Sequence, residues 1–360
     1  MQNNLNLSSS KEIGRTGNER GFTILEVIVA MTIFMIVSGS IWGVLRVAQM
    51  GRATVNQQVQ LAKNVRLGLN VIGKDTYNAG LGYPLLRTTS NIRVVLPDNR
   101  ISLALGVPVD ADVSRDTVPP IIAGNDLNVD NYNTVANTKT DQITLLFKDS
   151  TFNVVGGVST PLNINAATTT GGGIDEVVPI SGSNASCRVN DIYLVNGNTG
   201  GTIGISTALN GTNTVDFANG DLLGFNQTGI GGPLRGITIP ATLVRIKMIT
   251  YFVDASGTLT RREFANILPA VAYVDEPLVY NVDNFQIRYV LDDGSVSDNP
   301  TAGPDGIAGT SDDVQDNFAA IRQIRYTIST RSIELNSSGQ PYRETMTSTF
   351  STRNMGYDVN

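Results

Sequence analysis

The sequence predicts an α+β protein in which one long N-terminal α-helix packs on an antiparallel β-sheet head. Two observations predict the helix: an unbroken apolar run over residues 22–45, and an amphipathic stripe that continues it to about residue 80. A third predicts the sheet, because segments of the C-terminal third alternate apolar and polar residues. We therefore divide the chain into residues 1–21, 22–45, 46–80 and 81–360.

The composition is that of a loop-rich protein with a modest acidic excess. The 360 residues include 36 glycines, carry a formal net charge of −6, and contain one cysteine and no histidine. A single cysteine excludes an intramolecular disulfide, and the lack of histidine removes the commonest general base and metal ligand. The acidic balance does not favour a nucleic-acid partner.

The first element has the length of a membrane span. Residues 22–45 make 24 residues, or roughly 36 Å of α-helix, and a bilayer core is about 30 Å thick. Glu26 is the one carboxylate in this run, and a carboxylate in a spanning helix marks a functional site by default. Trp42, toward the far end, is typical of an interface anchor.

Three simpler interpretations of this run compete. A secretory signal peptide has a shorter apolar region followed by a small-residue cleavage site, and neither is seen here. A plain single-pass anchor requires neither Gly21 before Phe22 nor Glu26. A buried core helix is possible at this length but is disfavoured by so high a hydrophobicity.

The hexapeptide Gly21-Phe22-Thr23-Ile24-Leu25-Glu26 resembles the processing site of the type IV prepilins. That resemblance implies cleavage between Gly21 and Phe22 by a membrane prepilin peptidase, which also methylates the new Phe22 amine. It implies that Glu26, the fifth residue of the mature chain, pairs with the N-terminal amine of a neighbouring subunit. It also implies a pilin-like fold, an inner-membrane location with the head outside the cytoplasm, and other pilins as partners.

The helix is predicted to continue beyond the membrane-length run. Its stripe recurs at spacings of three and four, and predicts packing on the protein's own head. The stripe consists of Val55, Val59, Ala62, Val65, Leu69 and Ile72. We expect the helix to end near residues 78–80, where Gly80 and Gly82 provide stop signals. Gly39, Gly43 and Gly51 weaken the helix or permit close helix contact.

From about residue 87 the pattern changes to strands and turns. Residues 243–253 and 259–264 predict a β-hairpin around Asp254-Ala255-Ser256-Gly257-Thr258. Further strands are predicted at 142–147, 191–195, 285–290, 321–328 and 343–352. Residues 197–236, rich in Gly, Thr and Asn, predict long loops or weakly specified strands.

Residues 75–82 and the hairpin followed by 282–289 resemble the corresponding segments of PilW-like minor pilins. The resemblance implies a structural role in starting, priming or capping a type IV pilus. A minor pseudopilin of type II secretion, similar to GspJ, is the close alternative. A membrane-anchored calcium-dependent adhesin, and a tethered hydrolase that uses carboxylates alone, are alternatives from other classes.

An acidic stretch near the C-terminus predicts a calcium site. Between Tyr289 and Ile321 there are seven aspartates and no Lys or Arg, so the carboxylates are expected to repel one another without a cation. They are Asp292, Asp293, Asp298, Asp305, Asp312, Asp313 and Asp316. We assign Asp305, Asp312 and Asp313 as calcium ligands, because carboxylates and loop carbonyls suit that ion. The layout also resembles the calcium loop of major pseudopilins. A solvated acidic loop is the alternative.

Other candidate chemistry is sparse. Asp126-Leu127-Asn128-Val129-Asp130 alternates oxygen ligands like the start of a calcium loop, but Asx-rich turns look the same. We find no Cys/His pair, no Gly-x-Ser-x-Gly motif and no phosphate-binding glycine loop. Cys187 is interpreted as a small apolar core residue. The sequence therefore predicts a structural protein and not an enzyme.

Overall fold

A computed structural model describes residues 21–84, 94–97, 115–128, 139–166, 177–198, 200–226, 234, 237–266, 271–300, 320–335 and 338–355. The chain divides into two compact units, Met1–Asn56 and Gln57–Asn360. Over these described residues, one α-helix, α1, spans Ile24–Asn78, and nineteen strands follow it. This is the predicted α+β class: one long apolar N-terminal helix, then antiparallel sheets.

The end of α1 agrees with the predicted stop signals. The helix ends at Asn78, and Gly80 and Gly82 follow with φ values of 78° and 68°. Such left-handed backbone is accessible to glycine at little cost. The N–H of Gly80 donates to the carbonyl of Leu146 at 2.9 Å, so the helix terminus is bonded to a strand of the head.

The strands are short in the middle of the chain and long near its C-terminus. They are β1 Val94–Pro97, β2 Arg115–Thr117, β3 Ile121–Asn128, β4 Thr140–Lys148, β5 Val154–Val155, β6 Val158–Ser159, β7 Leu162–Ile164, β8 Val177–Pro179, β9 Ile192–Gly197, β10 Gly201–Ile205, β11 Ala208–Asn210, β12 Thr214–Asp216, β13 Ala241–Val253, β14 Leu259–Phe264, β15 Tyr273–Val279, β16 Val282–Leu291, β17 Val296–Ser297, β18 Ile321–Leu335 and β19 Pro341–Ser351.

The largest sheet is organised around β13. Its strand order is β15-β14-β13-β9-β10-β1-β2, and β4 and β7 also pair with β13. The predicted hairpin is the β13–β14 pair, in which Val253 lies opposite Leu259. In the described part of the chain, the strand pairs of this sheet are antiparallel except β1 with β10.

A second sheet of four strands, in the order β17-β16-β18-β19, is formed by the C-terminal third. Phe285 lies opposite Ile328, and Ile328 lies opposite Met346. Alternate residues of β16 and β18 are buried, as the period-two pattern predicts. Ile287, Tyr289, Ile324 and Tyr326 are among these buried residues.

The second half of α1 packs against both sheets. Val65, Leu69 and Ile72 are buried in one cluster with side chains of β3, β4, β13, β16 and β18. Val59, within the head unit, does not join this cluster, because it is 59% exposed. The prediction that the stripe packs on the protein's own head is therefore confirmed for Val65, Leu69 and Ile72. It is wrong for Val59.

Two glycines allow this close packing. A Cβ on Gly68 would lie 2.5 Å from a methyl group of Val279, and one on Gly73 would lie 2.3 Å from the ring of Phe350. The ring of Phe350 also meets Tyr77 edge-on, at 5.9 Å between centroids. The strands thus approach the helix at positions where only glycine leaves enough room.

The middle of the chain forms a core that the sequence analysis missed. A separate cluster includes Phe152, Tyr193, Phe217 and Leu243, and the short strands β8, β11 and β12 form a small sheet beside it. Cys187 is a buried member of this cluster, which confirms its interpretation as a core residue. Burial raises the pKa of its thiol to about 11, so it is protonated at neutral pH.

Candidate processing and assembly site

The predicted cleavage junction lies just outside the helix. Gly21, Phe22 and Thr23 are not helical, and α1 begins at Ile24. Phe22 is 87% exposed, and a Cβ on Gly21 would meet no atom within 4 Å. A non-helical, open Gly-Phe bond is a geometry that a peptidase can reach, because helical hydrogen bonds do not hold its backbone.

Thr23 and Glu26 form a capping box at the start of α1. The Thr23 hydroxyl accepts a hydrogen bond from the Glu26 backbone N–H at 3.3 Å. In return, Glu26 Oε2 accepts from the Thr23 backbone N–H and from its hydroxyl, each at 3.0 Å. This reciprocal arrangement satisfies two N–H groups that an uncapped helix would leave without partners. We did not predict this capping box from the sequence, although Thr-x-x-Glu before an apolar run is the recognised signature of a capping box.

Glu26 lies on an otherwise apolar face. Ala30 and Phe34 follow at spacings of four, so they share its side of the helix, and Phe22, just before the helix, lies beside them. The side chains of residues 21–36 are all exposed in the isolated chain. By length and composition α1 is able to cross a membrane. The carboxylate thus stands within a surface that needs an apolar environment, next to the N-terminus that cleavage would create.

The acidic stretch is less isolated than the sequence indicated. Arg288 Nε lies 3.0 Å from Asp298, and a nitrogen of Arg322 lies 3.4 Å from Asp292. Both arginines lie on the flanking strands, just outside the stretch without basic residues, so the expectation that nothing neutralises Asp298 is wrong. Asp293 accepts a hydrogen bond from the Ser295 N–H and caps a turn.

The proposed calcium ligands Asp305, Asp312 and Asp313 lie outside the described residues, as does Asp316. Calcium there stays a prediction. Within the described part of the chain, no group of three or more His, Cys, Asp or Glu side chains is arranged to hold a metal ion.

Asp126, the start of the second candidate calcium segment, has a different role. It adopts a left-handed backbone, with φ 51°, and its N–H donates to Asp141 at 3.0 Å. Asp141 is buried on β4, and its other carboxylate oxygen accepts from the Ile287 N–H of β16 at 2.6 Å. Asp141 therefore joins the two sheets. Asp130 lies outside the described residues.

Two buried ionic clusters, also missed in the sequence, stabilise the head. Asp75 on α1 accepts from Tyr251 Oη at 2.6 Å and from Arg261 Nε at 3.0 Å. Arg245 lies between Asp149 and Asp191, with 2.9 Å contacts to each. Every charge in these clusters has an opposite charge beside it, which buried charges require. Long-range pairing of this kind leaves no local sequence signal.

Comparison with known proteins gives one match. Residues 16–42 match the family described as "Prokaryotic N-terminal methylation motif". No curated protein matches the chain. No solved structure matches it either. The matched segment contains Gly21, Phe22 and the Thr23–Glu26 capping box, and runs into the exposed apolar part of α1.

The motif implies processing by prepilin peptidase and assembly with other pilins. The long apolar helix and the motif together indicate membrane anchoring. Neither the helix nor the motif supports the narrower PilW-like or GspJ-like assignment, which stays a prediction. The N-terminal segment of the chain is thus similar to that of the type IV prepilins, the group that includes pilins and pseudopilins.

Proposed function

We propose that this protein is a minor pilin that takes part in type IV pilus assembly, with a structural and not a catalytic role. The observation that carries the proposal is the helix start: an open Gly21-Phe22 bond, then Glu26 on an exposed apolar face, inside a prepilin methylation motif. An apolar helix surface of this kind requires lipid before assembly and neighbouring helices after it.

In this proposal the chain is inserted with its head outside the cytoplasm and is cleaved after Gly21. The Phe22 amine, methylated but still positively charged, then pairs with Glu26 of a neighbouring subunit. A carboxylate in an apolar surface offsets its desolvation cost only when it finds a partner. The apolar first half of α1 packs among other pilin helices, and the head stays outside.

Processing is tested first. Intact-mass measurement of the native protein should give a chain that begins at Phe22 and carries one added methyl group. Gly21→Leu should leave full-length precursor in the membrane, because a bulky side chain blocks the residue before the cut. Gly39→Leu is the matched control, since Gly39 also lies in open space, and it should be cleaved normally. A native protein that retains residues 1–21 would contradict the proposal.

The role of Glu26 is tested separately from its role in the capping box. Glu26→Gln keeps a side chain that can complete the box but removes the charge. If charge pairing drives docking, Glu26→Gln and Glu26→Ala should both lower incorporation into sheared pili by at least about tenfold. Membrane insertion and cleavage should stay near normal in both.

Thr23→Ala provides the control, because it removes the cap and keeps the carboxylate. We expect it to be incorporated far better than Glu26→Gln. If Glu26→Gln instead assembles like the wild type while Thr23→Ala fails, Glu26 acts only at the helix start, and the docking role is wrong. Labelling of pili, compared with a type II secretion assay, distinguishes a pilin from a pseudopilin.

A further inference from the structure

The last strand, β19, is an edge strand that runs beside the helix. Within the described residues it pairs only with β18. Its start lies near the beginning of the head unit, where Gln57 is hydrogen-bonded to Glu334 and Leu335 lies opposite Pro341. Its far end lies near the end of the helix, because Phe350 packs at Gly73. β19 therefore runs in the same direction as α1.

Within the described residues, no strand pairs with the outer edge of β19 over residues 343–349. The Thr352 N–H donates to Arg322, and the Tyr342 N–H donates to Ser332 on the same neighbouring strand. In an antiparallel ladder the bonding direction alternates, so odd-numbered residues direct their N–H and C=O groups away from β18. These outward residues are Arg343, Thr345, Thr347 and Thr349.

A groove of about 210 Å³ lies between this strand and the helix. It is lined by Arg66, Leu69 and Asn70 of α1 and by Met346, Thr347 and Ser348 of β19. The groove offers an apolar contact at Leu69 and Met346 and a cation at Arg66. Within the described residues, Arg66 has no ion-pair partner.

The later part of β19 lacks the features that usually protect a sheet edge, whereas its start carries Pro341, Arg343 and Glu344 and an irregular register with β18. Residues 345–351 contain no charge, no glycine and no proline, and their register with β18 is unbroken. By contrast β15, an edge of the large sheet, carries Asp275, Glu276 and Pro277, and its register is shifted by an irregularity. Natural proteins block exposed edges with such charges, prolines and bulges, or use the edge for pairing.

We propose that β19 and the groove beside it bind an extended segment of a neighbouring filament subunit, which adds to the sheet as a strand. The bound segment would place an aliphatic side chain against Leu69 and Met346 and an acidic side chain near Arg66. Its alternate residues would face outward beside Thr345 and Thr347. Backbone hydrogen bonds would supply the affinity, and the groove would supply the selectivity.

A second copy of β19 is not the occupant. Two copies paired about a twofold axis would have antiparallel β19 strands, and hence antiparallel helices, because β19 follows the direction of its own helix. Subunits anchored in one membrane by their N-terminal helices have parallel helices. The choice of occupant thus rests on the proposed function, whereas the strand-binding edge itself does not.

The test uses the full-length protein in detergent and two short synthetic peptides. The first peptide alternates Thr and Val and has one central Asp. Its twin has the same sequence with alternate amides N-methylated, which removes hydrogen bonding along one edge. We expect the first peptide to bind and to slow hydrogen exchange of the Thr345, Thr347 and Thr349 amides. The methylated twin should bind at least about tenfold more weakly.

Matched variants locate the binding site. Thr347→Pro removes an outward N–H without removing a backbone bond to β18, although it also removes the hydroxyl that contacts Thr327, and it should weaken peptide binding by about tenfold or more. Thr347→Val loses the same hydroxyl but keeps the N–H, and should bind within about twofold of wild type. If Thr347→Pro fails to fold, the difference in binding between the two peptides on the wild-type protein still tests the proposal.

Three results would overturn the proposal: no binding at millimolar peptide, equal binding of the methylated twin, or slow exchange of the three threonine amides in the free protein. The last would mean that the chain itself covers the edge. None of these results bears on processing at Gly21, which the mass of the native protein tests independently.

Discussion

The two halves of α1 carry similar aliphatic side chains in very different surroundings. In the first half Ile36 is 68% exposed, and its neighbours are exposed on every side of the helix. In the second half Ile72 is fully buried among strands of both sheets. The two halves have similar side chains and differ in whether strands of the head pack against those side chains.

The glycines show the same contrast. Gly39, Gly43 and Gly51 in the first half have no atom within 4 Å of the place a Cβ would take, whereas Gly68 and Gly73 would clash with strand side chains. Glycine in the second half is therefore required by the protein's own packing. In the first half no described residue comes close enough to require glycine, and on the proposed function any such requirement comes from lipid or from other helices.

The largest expected effect comes from truncating one isoleucine in each half. Ile72→Ala removes a fully buried side chain and should lower the free energy of unfolding of the head by about 3–5 kcal/mol. Ile36→Ala should leave it unchanged. Chemical denaturation of the full chain in detergent, followed by near-ultraviolet circular dichroism, measures both. Equal effects of the two variants would show that the halves do not differ as described.

A pH titration tests how the two sheets that receive the second half are joined. Burial raises the pKa of Asp141 to about 7, with Asp126 and Asp298 adding repulsion and the N–H groups of Asp126 and Ile287 opposing it. The folded-state pKa thus exceeds the unfolded value, so the contribution of Asp141 is complete below about pH 4 and is lost as pH rises through 7. Between pH 5.0 and 6.5 stability should fall by about 2 kcal/mol from this group.

The control is Asp141→Asn, which cannot titrate and should lack this part of the slope, whatever its absolute stability. The difference between the two pH profiles is the quantity to measure, because other carboxylates titrate equally in both proteins. Identical slopes for the wild type and Asp141→Asn would show that Asp141 does not retain its proton in the folded state.

The smallest effect distinguishes the glycines. Gly73→Ala should destabilise the head by about 1–2 kcal/mol, because the crowding against Phe350 outweighs the higher helix propensity of alanine. Gly43→Ala meets no atom and should not lower the stability of the head. Thermal melting of both variants measures the difference. A Gly73→Ala protein as stable as the wild type would mean that the ring of Phe350 moves aside without cost.

The sequence predicted those features that depend on local periodicity. The apolar run, the helix end at Gly80 and the β13–β14 hairpin all follow from residues close together in the chain, and all are observed. Strands β16 and β18 of the second sheet follow equally from the alternation of apolar and polar residues. The match of residues 16–42 to a methylation motif agrees with the processing site that the hexapeptide indicated.

The sequence did not predict features that depend on distant partners. Asp75 meets Arg261 and Tyr251, and Asp141 meets β16, only because the fold brings remote segments together. The short strands of the middle region pair across loops rich in glycine, where propensity is weak. Arg288, on strand β16, forms an ion pair with Asp298. A count of charges within the acidic stretch cannot detect this pair, because Arg288 lies outside the stretch.

On the proposed function, the capping box at Thr23 makes docking an exchange of hydrogen-bond donors at Glu26. The Glu26 carboxylate already accepts hydrogen bonds from two donors of its own chain. Its charge is therefore partly stabilised before any neighbouring subunit binds. An incoming amine must displace or share those donors. On the proposed function, docking then replaces the hydrogen bonds from Thr23 to Glu26 with a pair between Glu26 and the neighbour's amine. A subunit that has not docked keeps an ordered helix start in the membrane.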